Sequence, residues 1–106
     1  MDEAKRQRLE AGGWRVGDAT EFLDLTPAEV AYIDVRVALA RLLREIRAAH
    51  AWTQAMVARR LGSSQSRVAK MEAADPSVSL DLLVKSLLAL GASRDEVGAV
   101  IAEHAA

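Results

Sequence analysis

Apolar residues recur at intervals of three and four along most of the chain, the period of helices that bury one face. The longest run opens at Thr26-Pro27-Ala28-Glu29, with Thr placed to cap, Pro at the first helical position and Glu at the third. No breaker follows before Trp52-Thr53, so one helix is expected from about Pro27 to His50. Its stripe passes through Val30, Ile33 and Val37, then Leu39, Leu42, Leu43 and Ile46. The stripe drifts around the helix, so its two halves should face different neighbours. The second half is expected under the segments that follow, and the first against the N-terminal arm or another subunit.

Beyond Thr53 the helices shorten. Val57, Ala58 and Leu61 are spaced for a helix capped by Thr53, and Gly62 breaks it. Ser63 or Ser64 then caps a second helix with Val68 and Met71 inward. Pro76 disfavours helix at Asp75, which makes 73–76 a loop. Ser77 or Ser79 starts an apolar helix with Leu80, Leu83, Val84, Leu87 and Leu88 inward, stopped near Leu90 by Gly91. Ser93-Arg94-Asp95-Glu96 is a capping box for a last helix presenting Val97, Val100 and Ile101 on one face. Upstream of Thr26, a short helix is expected over residues 2–11, ended by Gly12-Gly13. A turn-rich connector over 14–17 follows, then a second short helix capped by Asp18 and carrying Ala19, Phe22 and Leu23.

Composition agrees with an all-α fold. The chain has 106 residues, enough for one modest core, and Ala, Leu, Arg, Glu and Val dominate while aromatics make up only 4%. No strand-like alternation or Asn-Gly hairpin interrupts this. The expected organisation is an N-terminal helical arm over 1–26 and a helical domain over 27–104. There is no cysteine, hence no disulfide, thiolate metal site or cysteine nucleophile. Neither a signal peptide nor an apolar stretch of membrane-spanning length is present, so a soluble cytoplasmic protein with no membrane partner is expected. His50 and His104 lie far apart, without metal-binding spacing, and no phosphate loop, nucleophile elbow or carboxylate pair stands out. No catalytic residue, metal or cofactor is expected, and the chain is read as a non-enzyme.

Charge changes the picture more than composition does. The net charge is −1, yet residues 36–72 hold eight basic residues against two acidic ones, a net +6 that leaves −7 for the rest. Screening confines charge effects to about 8–10 Å at physiological ionic strength, so the local field matters more than the total. A basic centre in an acidic chain predicts one polyanion-binding face and a separate acidic surface. For Arg36 and Arg41 a solvated helix face is the simpler expectation.

The basic centre coincides with the segment TQAMVARRLGSSQSRVAKME, residues 53–72. Two short helices around a glycine turn form a helix–turn–helix, with small Ala58 where the helices cross and Gly62 supplying a positive φ. The outward face of the second helix carries Gln65, Ser66, Arg67 and Lys70. An ordinary helical hairpin with no ligand is the plain alternative.

In its Thr-Gln pair, small residue, glycine turn and terminal Glu, this segment resembles the Cro/C1 (Xre) family of phage and bacterial repressors, over roughly residues 37–90. The resemblance implies a compact lambda-repressor-like bundle and a sequence-specific DNA-binding regulator. It places Gln65, Ser66, Arg67 and Lys70 at base-reading positions. It puts Gln54 on a DNA phosphate, with Ser64, Arg44, Arg59 and Arg60 as further phosphate contacts. Arg47 and Glu72 match a family ion pair joining the helix before the motif to the end of the recognition helix. The chain departs from many relatives after Glu72, where Asn-Gly is common and Ala73-Ala74 stands here. The partners implied are a double-stranded operator and a second copy of the chain. Within the family, small size and an acidic arm resemble a HigA-type antitoxin, which represses its own operon and binds a basic RNase toxin of RelE-like fold. Trp14 and Phe22 most simply dock the arm on its own domain; in the antitoxin reading they would instead form, with Asp18, Glu21 and Asp24, the toxin-facing surface, continued by Glu29 and Asp34. The alternatives are a stand-alone repressor and a helical protein-interaction module.

Overall fold

The computed structural model describes residues 25–103, and the chain divides into two compact units between Asp34 and Val35. The expectations for Trp14, Asp18, Glu21, Phe22, Asp24 and His104, and for the short helices before Thr26, lie outside the described residues. The elements are α1 (Pro27–Ala49), α2 (Gln54–Leu61), α3 (Gln65–Glu72), α4 (Leu80–Ala89) and α5 (Arg94–Ala102). No strand occurs among the described residues, and none of their helices is long and apolar enough to cross a membrane.

Each helix starts where its capping chemistry dictates. Glu29 N–H donates to Thr26 Oγ1 at 3.1 Å, and Thr26 N–H donates to Glu29 Oε1 at 3.3 Å. Ser93 and Glu96 repeat that reciprocal pair at α5. At α2 the Thr53 hydroxyl accepts from Met56 N–H, and the Met56 sulfur takes the place of the usual carboxylate. Ser64 and Ser79, rather than Ser63 and Ser77, cap α3 and α4. A capping hydroxyl of this kind contributes about 1 kcal/mol.

The ends of α1 to α4 also share one device. In a Schellman turn a left-handed residue follows the helix, and two backbone N–H groups fold back onto its last carbonyls. Gly62 (φ 63°) and Gly91 (φ 103°) fill that position after α2 and α4. Ala51 (φ 54°) and Ala74 (φ 53°) fill it after α1 and α3, with Trp52 N–H donating to Arg47 O and Asp75 N–H to Lys70 O, both at 3.0 Å. A Cβ added at Gly62 would meet nothing within 4 Å, so backbone conformation alone calls for glycine there.

Leu39 and Leu43 of α1, Val57 of α2, Val68 and Met71 of α3, and Leu83 and Leu87 of α4 are fully buried and form one core. Each such side chain contributes roughly 1.5–3 kcal/mol of burial. Val97 extends the core into α5. Two residues expected inward are instead exposed, Leu88 on α4 and Ile101 on α5; Ile33 and Val37, expected against the N-terminal arm or another subunit, are exposed as well. In α4 the inner face is taken by Leu83 and Leu87 and is continued by Leu90 just past its end, and Leu88 is turned about 100° from Leu87. In α5 the packed face is Val97 with Val100, and Ile101 lies beside it.

Arg36 corrects a second expectation. It is buried, not solvated, and its Nη2 donates to Asp75 O and Val78 O. The side chain thereby joins α1 to carbonyls of the loop between α3 and α4, adding to the Val78 N–H that already donates to Asp75 O at 3.0 Å. Arg41, by contrast, is exposed.

Candidate nucleic-acid interface

The α2–turn–α3 unit is held from beneath and from its far end. Val57, Ala58, Val68 and Met71 fill the space between its two helices and the rest of the core. At the end of α3, the Glu72 carboxylate accepts from Arg47 Nε at 2.6 Å and from Arg47 Nη2 at 3.0 Å. This two-point pairing fixes the angle of both side chains, not just their distance. Glu72 is 6% exposed and Arg47 27%. The Glu72 hydrogen bonds hold the Arg47 guanidinium above its ordinary, already high pKa, against the opposing effect of burial. Arg47 Nη1 also reaches Trp52 O at 3.3 Å, which ties the α1–α2 turn into the same group.

From this pair a chain of amides leads to the surface. Gln54 Nε2 donates to Glu72 Oε1 at 3.2 Å, and Gln54 Oε1 accepts from Gln65 Nε2 at 3.4 Å. A carboxylate can only accept, so it orients the Gln54 amide with nitrogen inward and oxygen toward α3. Gln65 is thus tethered through its nitrogen, with its oxygen and one N–H left over. Arg44 lies on the same side, its Nη1 donating to the Glu72 carbonyl at the end of α3.

The four residues expected to read bases share the outward face of α3. Gln65, Ser66, Arg67 and Lys70 are all exposed, while Val68, Met71 and Glu72 of the same helix are buried. Among the described residues, neither Arg67, Lys70 nor Arg59 takes part in an ion pair. A family model described as a helix-turn-helix domain matches residues 38–100.

The chain belongs to the helix-turn-helix domain family.

No curated protein and no solved structure shows significant similarity to the chain. Helix-turn-helix domains are DNA-binding units, and α3 is the second helix of the motif here. Its length and exposed polar face suit a groove about 12 Å wide.

The remaining expected contacts divide into groups. Ser64 caps α3, its Oγ accepting from Arg67 N–H at 3.1 Å. Arg59 is exposed on α2. Arg60 lies over the Trp52 ring, 4.1 Å from its centroid, and His50 stacks on the same indole at 4.0 Å and 16°. His50 Nδ1 is also 2.9 Å from Ile46 O at the end of α1. Arg44 and Gln54, expected on phosphates, have protein partners at Glu72 in this structure. Among the described residues no cluster of side chains is arranged to hold a metal ion.

Sequence reasoning missed the neighbourhood of α3. A groove of about 700 Å³ runs beside it and is lined on the far wall by Ser77, Ser79, Asp81 and Lys85, at and after the start of α4. Arg67 and Lys70 form the near wall. Lys85 sits in an apolar stretch of sequence and gave no signal of its own. Only the packing of α4 against α3 brings it to this face.

Proposed function

We propose that this protein is a sequence-specific repressor of the Cro/C1 type that binds an inverted-repeat operator as a homodimer. The observation that carries this reading is the division of α3 into a buried anchor of Val68, Met71 and Glu72 and an exposed face of Gln65, Ser66, Arg67 and Lys70. Gln65, with an oxygen and an N–H free, has the pair of groups that adenine N6 and N7 require, and Lys70 suits guanine O6 and N7. Each good contact of this kind discriminates by about 1–3 kcal/mol. Ser64, Arg59 and Arg60 contact phosphates, which set register without reading sequence. Gln54 and Arg44 do so while keeping their bonds to Glu72. One recognition helix reaches only a few bases, and a second copy bound about 34 Å away adds both affinity and selectivity.

The test is fluorescence anisotropy with DNA from upstream of the coding region. Lys70→Ala and Gln65→Ala should abolish selective binding while leaving helical circular dichroism unchanged. Affinity should fall steeply with salt, because each phosphate contact releases a counterion. Variants that bind this DNA as tightly as the wild type would refute the role assignment.

A narrower reading follows from the resemblance to HigA-type antitoxins and from the acidic series Asp18, Glu21, Asp24, Glu29 and Asp34. In it the protein works in the cytoplasm, represses its own operon, and neutralises a basic RNase toxin docked on the N-terminal arm, with Trp14 and Phe22 as anchors. Co-expression with the neighbouring reading frame tests this. A neighbour that arrests growth and is silenced by this chain is expected, and a harmless neighbour that never co-purifies rules it out.

A further inference from the structure

The groove beside α3 holds more cationic and hydroxyl groups than recognition by α3 alone requires. Arg67 and Lys70 stand on one wall and Lys85 on the other, with Ser64, Ser66, Ser77 and Ser79 around them. The capping hydroxyls are half-used: Ser64 Oγ accepts from Arg67 N–H and Ser79 Oγ from Leu82 N–H, which leaves each proton to donate outward. Asp81 is the single anion of the lining. It pairs with Lys85 at 3.1 Å, one helical turn apart on α4, and both side chains are about three-quarters exposed. A pair so exposed is held weakly and exchanges readily for a stronger anion.

From this we infer that Lys85 is a DNA phosphate contact on α4, and that Asp81 restrains it. In free protein Asp81 occupies the Lys85 ammonium. On DNA, a phosphate must displace Asp81 from the ammonium, and the loss of that pair lowers affinity for any duplex. The pair trims the sequence-independent part of binding and leaves the base contacts of α3 to decide where the protein stays. This inference rests on the DNA-binding reading above.

The test uses the full chain with Lys85→Gln, Asp81→Asn and the double variant, titrated with operator and with unrelated duplex at 50 and 200 mM salt. Lys85→Gln should bind both duplexes more weakly and lose one counterion from the salt slope. The wild-type advantage should then shrink about 3.5-fold between the two salt concentrations. Asp81→Asn should tighten both duplexes about twofold, unrelated DNA proportionally no less than operator, and most of that gain should vanish in the Lys85→Gln background. A Lys85→Gln protein with the wild-type salt slope overturns the inference, as does an Asp81→Asn gain of equal size in both backgrounds. A wild-type chain that does not select operator over unrelated DNA sinks both this inference and the reading beneath it. Selective wild-type binding with silent Lys85 and Asp81 variants sinks this one alone. Both positions are exposed, so unchanged helical circular dichroism is expected throughout.

Discussion

The Glu72 carboxylate, almost closed off from water, is gripped at both oxygens by the Arg47 guanidinium and at one of them also by the Gln54 amide. α1 and the end of α3 therefore meet through charge as well as through the shared core. Removing one partner of such a pair strands the other. Arg47→Ala should lower unfolding free energy by about 3 kcal/mol, near the lower end for buried pairs because Arg47 is partly exposed. Urea denaturation followed by circular dichroism measures this. A loss within 0.5 kcal/mol would show that water compensates Glu72 fully.

Two alanines occupy positions where glycine is the unstrained choice. The left-handed conformation costs a residue with a Cβ roughly 1–2 kcal/mol, partly offset by the entropy that a glycine loses on folding. Ala74→Gly should accordingly stabilise the protein by about 0.5 kcal/mol, and Gly62→Ala should destabilise it by about 1 kcal/mol despite open space for the new methyl. Paired thermal melts would show the two shifts in opposite directions.

Arg36 and Arg41 stand little more than a turn apart on α1 and should behave differently. Arg36 is buried with two loop carbonyls as acceptors, whereas Arg41 faces solvent. Hydrogen bonds to a charged donor contribute about 1.5–3 kcal/mol, so Arg36→Ala should cost roughly 2 kcal/mol. Arg41→Ala should stay within about 0.5 kcal/mol of the wild type. Equal losses would contradict the assignment.

Acid should loosen the loop after α3. Hydrogen bonds from Ser77, first from its side chain and then from its backbone N–H, hold the Asp75 carboxyl below its usual range, with Lys70 and Arg36 adding a smaller pull. A folded-state value below the unfolded one stabilises the protein above about pH 4, where the unfolded carboxylate is ionised. That contribution is lost as pH falls through the lowered value. Asp75→Asn should therefore be less stable than the wild type at neutral pH, and the gap should close as pH falls from about 4 through the lowered folded-state value. A gap that stays constant over this range would show that Asp75 does not contribute.

Local chemistry made much of this structure legible. Thr26, Thr53 and Ser93 announce their helices because a capping hydroxyl acts within one turn, and Gly62 and Gly91 announce two ends for the same reason. What sequence did not disclose depends on which surfaces meet. Arg36 looks like any arginine on a helix until the α3–α4 loop supplies its carbonyls. Leu88 belongs to a helix with too many leucines for one inner face, and periodicity could not choose among them. Ala74 hid a left-handed turn because the residue type argues against it. Gln65, Ser66, Arg67 and Lys70 were legible as a face, whereas Lys85 joins their groove only through the packing of α4.

Within α3 the residues that fix the helix and those that face outward scarcely overlap. Val68, Met71 and Glu72 answer to the core, and the side chains of Ser66, Arg67 and Lys70 make no hydrogen bond or ion pair among the described residues. Gln65 alone belongs to both sets, through its bond to Gln54. Divergence can therefore rewrite three positions freely and change what the protein recognises without paying in foldedness. A change at Gln65 also breaks its link to Gln54, so related chains should drift first at 66, 67 and 70 and keep 54 and 65 changing as a pair.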